Sequence, residues 1–447
     1  MLADDRVSHP MTFTVGLKFS GRFDGEAFKS AIEVAVRRHP FLNAHLSGDH
    51  ERKLRWTPAP GVKTNIDVAE FDAPLQFPGS EWIDLRNQTG LRIWVRTGPE
   101  ATEMRLQFHH SCCDGIGSYR FIEDLLCAYD QTVYPEGGRS KFRPLDTSRL
   151  QRRTSFGLSW TRFVLRIPQE IWGIAIGTIT FFFGRPVEVC TPSRPTVSED
   201  DKLRLLDYPA HTFDQETFKR LRAVAREAGV TLNDLLLGDM FLAIQTWNSR
   251  HDPRTRRRSI RISVPMDLRT AEDELMPAAN VVAMVFLDRR PSIFPSARWL
   301  LRTINLEMRF IKAGRIGIAF VRACGLVGLI PGGWKWLTRA NRCYTTAVLS
   351  NHGRPLFDSK LARQGDKIIA GDLTLEAIES APPVRPYTAA AFACLSYAGR
   401  FVLVMNYDRY RFTPAAARDF LDTIVGQIRE TVGRSTDEAP EIEAVAF

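Results

Sequence analysis

A chain of 447 residues, 44% apolar and 25% charged, with no low-complexity tract and no solenoid-length repeat, excludes disordered, collagen-like and repeat architectures. It is longer than one hydrophobic core organises, which predicts two domains of about 200 residues each. The formal net charge of +9 favours anionic partners, among them phosphate-bearing cofactors, acidic lipid surfaces and nucleic acid.

Seven cysteines, at 112, 113, 127, 190, 324, 343 and 394, form no CxxC and no paired spacing, which predicts a reduced, cytoplasmic setting. The opening MLADDRVSHPM lacks the basic and apolar regions of a secretory signal, and the longest apolar run, Ile171 to Phe183, is too short to span a bilayer.

TFTVGLKFSG reads as a strand, followed by a helix opened by Asp24 with Phe28, Ile32 and Val36 along one face and stopped by Pro40. LRIWVRTG and EMRLQFHH read as adjacent strands. The second runs through SCCDGIGS into a helix whose inner face is Tyr119, Ile122, Leu126 and Tyr129. Residues 135–200 carry little strand pattern and read as a connection, so the domains are placed at 1–190 and 191–447.

The second half restarts with Asp214 capping a helix through Phe218, Leu221 and Ala225, ended by Gly229; Thr231 and Asp234 make a capping-box pattern for the next. IRISVPMDLR, NVVAMVFLD, TTAVLSN, AAFACLSY and RFVLVMNYD read as strands, the last two joined as a hairpin across Ala398 and Gly399. Thr413 and Pro414 open a final helix lined by Leu421, Ile424 and Ile428. Each half is thus a mixed sheet flanked by helices, an α/β fold class.

His109, His110, Ser111, Cys112, Cys113, Asp114 and Gly115 spell HHxxxDG at a strand-to-helix turn. Successive strand side chains point to opposite faces, so His110 shares a face with Phe108, Leu106 and Met104, and only one of the two histidines can serve a given cleft. By this motif the chain resembles the chloramphenicol acetyltransferase-like and condensation-domain acyltransferase superfamily, nearest to its wax ester synthase-like and polyketide-associated members. RRHP at 37 to 40, AGVTLNDLLL at 228 to 237 and SNHGRP at 350 to 355 extend the resemblance across almost the whole chain. Ser111, Cys112 and Cys113 depart from it, being smaller and more thiol-rich than the aliphatic residues often found there.

The resemblance implies two chloramphenicol acetyltransferase-like domains in a V-shaped pseudo-dimer, with a central tunnel entered by donor and acceptor from opposite mouths. It makes His110 the catalytic base. An attacking hydroxyl must lose a proton as it bonds to a thioester carbonyl, and imidazole, with a pKa of about 6.5, accepts it if its other nitrogen is held as a donor. It gives His109, Asp114 and Gly115 structural roles, with Arg269 as the partner of Asp114, and makes Asn280 and Asn351 candidate donors to substrate or oxyanion. No permanent cofactor or metal is expected. Acyl-CoA is the expected co-substrate and a lipid or long-chain alcohol the acceptor. The alternatives are a carrier-protein phosphopantetheine thioester with an amine or alcohol acceptor, and a non-catalytic scaffold of the same fold.

Other readings weigh less. His109, His110, Cys112 and Cys113 project apart and lack a second ligand pair at zinc spacing. The GIG of DGIGSYR lacks the third glycine of a dinucleotide loop. Arg254, Arg256, Arg257, Arg258 and Arg261 form a basic run without the interleaved aromatics that stack bases, so nucleic acid is not an expected partner. Ser350 and His352 follow no GxSxG elbow, so a hydrolase is not expected. No acidic residue lies between Asp146 and Glu170 or between Glu307 and Asp358. Phe156, Trp160, Phe163 and Ile167 with Arg162 and Arg166, then Ile316, Phe320, Leu326, Trp334 and Trp336, fit two readings, packing on the core or contact with an anionic membrane surface at the inner membrane face.

Overall fold

A computed structural model describes residues 1–48, 54–61, 64–77, 80–154, 156, 184–192, 208–339 and 342–433. The first half contains β1 (Thr12–Gly21), α1 (Gly25–Arg38), β2 (Ala44–Ser47), β3 (Arg55–Pro58), β4 (Asn65–Glu70), β5 (Leu91–Thr97), β6 (Ala101–His109), α2 (Gly115–Val133) and the short α3 (Arg149–Arg152). The second holds β7 (Ala210–Phe213), α4 (Gln215–Glu227), α5 (Leu232–His251), β8 (Ile260–Asp267), β9 (Val282–Arg289), α6 (Ala297–Gly314), α7 (Gly317–Leu329) and α8 (Gly333–Arg339). It ends with β10 (Ala347–Asn351), β11 (Arg363–Gln364), β12 (Lys367–Ala370), β13 (Leu373–Ala381), β14 (Ala390–Tyr397), β15 (Arg400–Tyr407) and α9 (Pro414–Gly433).

Local chemistry sets these boundaries. Asp24 accepts from the N–H groups of Glu26 and Ala27 at the start of α1, and Pro40 follows its end. Asp214 accepts from Thr217 N–H, and the Thr231–Asp234 capping box is closed in both directions. Gly229 takes a φ of +66°, the left-handed turn that ends α4. Ala398 and Gly399, both at positive φ, turn β14 into β15.

The strands form two large sheets. One runs β11-β12-β13-β1-β6-β5-β4, antiparallel except for β4 beside β5. The other runs β7-β15-β14-β10-β8-β9, with β10 parallel to both neighbours. Beneath the first, α1 and α2 bury Phe28, Ile32, Phe121 and Ile122 against Val15, Leu106 and Phe108. Beneath the second, α4, α5, α6 and α9 pack Leu221, Phe241, Ile304 and Phe420 onto Ile262, Leu349 and Phe392. Each large apolar side chain buried in this way contributes about 1.5–3 kcal/mol.

Sheet membership does not follow chain order. Strands β11 to β13 come from the second half, yet β13 pairs with β1 from Thr14↔Ala381 to Gly21↔Leu373. Leu395, Tyr397, Val402 and Val404 of β14 and β15 also join the first core, so the two lobes pack directly against each other. The result is the mixed α/β, two-lobed architecture that the sequence suggested. Among the described residues no helix is long and apolar enough to cross a membrane. Phe156 is buried with Leu268 and Ile318, and Phe320 packs beside them; Trp160, Arg162, Phe163, Arg166 and Ile167 lie outside the described residues.

Candidate active site

Strand β6 delivers the two histidines to the lobe junction and leaves the sheet between them. His109 is still paired with Thr12, whereas His110 lies just past the strand with its N–H donating to Met11 O at 2.8 Å. A tight turn follows, closed by Cys112 N–H to His109 O at 2.9 Å, and Asp114 caps α2 by accepting from Gly117 N–H at 2.8 Å.

His109 is sealed. Its Nδ1 accepts from Ser111 N–H at 3.1 Å, which fixes the proton on Nε2, 3.3 Å from Asp5 Oδ2. Burial raises the Asp5 carboxyl pKa, but His109, Met11 N–H and the Trp82 indole outweigh it and hold the pKa below the usual range.

His110 differs in both respects. The residue is half-buried, and its ring packs against Phe13, centroids 5.1 Å apart. The ring lies against its own backbone carbonyl, which accepts from Asn280 Nδ2 at 2.6 Å. Asn280 Oδ1 accepts from Val282 N–H, so the amide orientation is fixed and Nδ2 faces the histidine, 3.2 Å from Nδ1. Among the described residues no hydrogen bond engages Nε2. Desolvation pushes the imidazole pKa down to about 4, against the opposing pull of Asp114, so the ring is neutral at pH 7.

Asp114 and Arg269 meet as a buried fork, with Nη1 to Oδ2 at 2.9 Å and Nη2 to Oδ1 at 3.0 Å. Val281 N–H gives Asp114 a fourth hydrogen bond, and Arg269 also reaches Asp267 and Ala279 O. Burial alone would raise the Asp114 pKa; Arg269 and the backbone donors instead hold it below the usual carboxylate range. Because Asp114 opens α2 and Arg269 follows β8, the pair ties one lobe to the other.

Gly115 sits under an imidazole that sequence reasoning set aside. A Cβ there would meet His352 Cε1 at 3.2 Å. His352, from the SNHGRP segment after β10, spends both ring nitrogens: Nδ1 on the Tyr119 hydroxyl at 2.8 Å and Nε2 on Ser350 Oγ at 3.0 Å. Burial lowers its pKa to about 4 as well, with Asp114 opposing and His110 reinforcing the shift. Gly117, the second glycine of the GIG, is held tighter, since a Cβ there would lie 2.9 Å from Ala279 O. The small loop residues have a steric cause: the Cys112 thiol fills the space where Gly90 lacks a side chain. Burial pushes the Cys112 and Cys113 thiols up, so they act as core.

The remaining segments fall into place around this centre. The RRHP histidine, His39, is fully buried between Asp124 at 3.2 Å and Ala278 N–H at 2.8 Å, a second tie between lobes. Asn280 reaches His110. Asn351 is exposed, and its hydrogen bonds go to Asn233 and Gly353 instead of His110. A cavity of about 220 Å³ lined by Thr14, Lys18, Arg105, Tyr208, Glu379 and Arg418 lies between the sheets, with no wall from His110.

No family model matches the sequence. An uncharacterized protein of Mycobacterium tuberculosis is 24% identical over 276 residues, 60% of this chain and 60% of that protein, so the match spans under two thirds of the relative. The N-(5-amino-5-carboxypentanoyl)-L-cysteinyl-D-valine synthase of Amycolatopsis lactamdurans is 25% identical over 51% of this chain and 6% of its own. Among solved structures, the first condensation domain of the calcium-dependent antibiotic synthetase aligns with a TM-score of 0.67 at 14% identity, covering 97% of this chain and 94% of that one. Polyketide synthase associated protein 5 of Mycobacterium tuberculosis aligns with a TM-score of 0.62 at 14% identity, covering 94% of each. The chain therefore carries the two-lobed fold of these solved structures, a condensation domain among them.

Proposed function

We propose that this protein transfers an acyl group from a thioester to a hydroxyl, with His110 as general base. One observation carries the reading: at the lobe junction the imidazole of the half-buried His110 is held neutral by burial, and among the described residues no hydrogen bond engages its Nε2, the nitrogen this reading assigns to take the proton. The acceptor hydroxyl gives its proton to Nε2 as its oxygen bonds to the carbonyl carbon. The tetrahedral intermediate then collapses, the C–S bond breaks, and the thiolate takes the proton back from Nε2. Asp114, Arg269, His109 and Asn280 touch no substrate in this scheme; they hold the turn and the ring.

Acyl-CoA is the preferred donor and a lipid or long-chain alcohol the preferred acceptor, by analogy with wax ester synthase-like relatives. A second donor, an acyl group on the phosphopantetheine of a separate carrier protein, is favoured by the alignment with a condensation domain of a synthetase, and would extend the acceptors to amines. Purified protein given matched acyl-CoA and acyl-carrier thioesters with a panel of alcohols and amines distinguishes them through free-thiol release and product mass. An unchanged transfer rate in folded His110→Ala would rule out His110 as the base, whereas no transfer by the parent protein from any thioester to any acceptor would leave the scaffold reading.

A further inference from the structure

Helix α6 breaks the rule for surface helices. Its inner face, Leu300, Ile304, Met308 and Ile311, is buried in the second core, so its outer face should be polar. Of the residues exposed on it, Arg298, Arg302, Arg309 and Lys312 are cations, Trp299, Leu306 and Phe310 are large and apolar, and the last is Ala313. None is acidic, hydroxylic or an amide.

The apolar three form a stripe. Positions 299, 306 and 310 are spaced by two turns and one turn, on one side of the helix about 135° from the buried face. They are 53%, 65% and 67% exposed. Arg302 and Arg309 flank the stripe on its solvent side, and the Arg302 guanidinium lies 5.5 Å from the Trp299 ring centroid. Glu307, the nearest acid on the helix, is turned to Arg289 at 2.6 Å, and the next acid along the chain is Asp358. The exposed positions of α7 and α8 continue the composition, with Leu326, Ile330 and Lys335.

We propose that this face of α6 docks on an anionic lipid surface, with Trp299, Leu306 and Phe310 entering the headgroup–acyl boundary and the flanking cations paired with lipid phosphates. Apolar residues seated beside Lys and Arg are what an interfacial helix requires, and its binding combines apolar burial with attraction to acidic headgroups. A second copy of the chain fits worse, because a two-fold contact through this stripe sets each copy's cations against the other's. The proposal does not depend on acyl transfer.

The test is flotation of the full chain with phosphatidylcholine vesicles, with and without phosphatidylglycerol. The protein is expected to float with the anionic vesicles only and to be released by salt. Trp299→Ser/Leu306→Ser/Phe310→Ser should lower partitioning on the order of tenfold or more with an unchanged melting curve, and Arg302→Ser/Arg309→Ser/Lys312→Ser should do likewise. Thiol release from a short, water-soluble thioester should be untouched in both, which keeps this outcome separate from the enzymatic reading. The proposal is overturned if the protein stays unbound at low salt, if the apolar triple variant floats like the parent, or if its only effect is to dissolve a dimer seen by sedimentation.

Discussion

Two imidazoles, His110 from one lobe and His352 from the other, feel the charge of Asp114, and burial depresses both to a pKa of about 4. They differ in what is left over. His352 has given both nitrogens to Tyr119 and Ser350, whereas among the described residues no hydrogen bond engages Nε2 of His110. A perturbed pKa therefore marks the neighbourhood of a site without saying which group acts. The free lone pair separates a base from a buried strut.

Substitution tests that contrast. His110→Ala should cost about 10²–10⁴ in kcat, measured by thiol release, with melting temperature little changed. Next in size, Arg269→Ala leaves the Asp114 carboxylate buried and unpaired and should cost about 3–5 kcal/mol in denaturant titration. That pair carries a sign in pH. The Asp114 pKa is depressed in the folded state, so its stabilisation is present at neutral pH and lost as pH falls through the lowered value.

His352→Ala should act on folding more than on rate, costing about 1–3 kcal/mol because the buried Tyr119 hydroxyl loses its partner; adding Tyr119→Phe should recover part of that. The glycines sharpen the point sterically. Gly117→Ala meets the Ala279 backbone and should destabilise by about 1–3 kcal/mol, while Gly115→Ala meets only the His352 ring and should cost less. The smallest expected change is in pH dependence. Because protonation inactivates a base, transfer should stay level around pH 6.5, where an ordinary imidazole titrates, and fall only as pH drops towards about 4. An acid limb near 6.5 would contradict a desolvated His110.

Much of this was legible because it is local. The caps Asp24, Asp214 and Thr231, the hairpin at Ala398 and Gly399, and the HHxxxDG turn are short-range patterns, and the structure places them where the residues point. The Asp114–Arg269 pairing was reachable only through the family resemblance, since nothing in composition links positions 155 residues apart. His352 escaped for the opposite reason. Tested as a hydrolase residue beside Ser350, it was dismissed, although its contacts run to Tyr119 in the other lobe. Strand β13 escapes too, because its alternation is broken at Glu376, the extra residue between Leu375 and Ala377 where the register with β1 shifts.

The return of β11, β12 and β13 to the first sheet bears on how the protein is made. A ribosome releases β1 and β6 early, but the other edge of β1 waits for Ala381 to emerge before its hydrogen bonds are filled. Until then the nascent first lobe holds an open strand edge, the template on which chains join one another. Assembly of the two lobes is consequently concerted and late, and truncations that spare every residue of the HHxxxDG turn but stop short of β13 should yield aggregates instead of half-proteins.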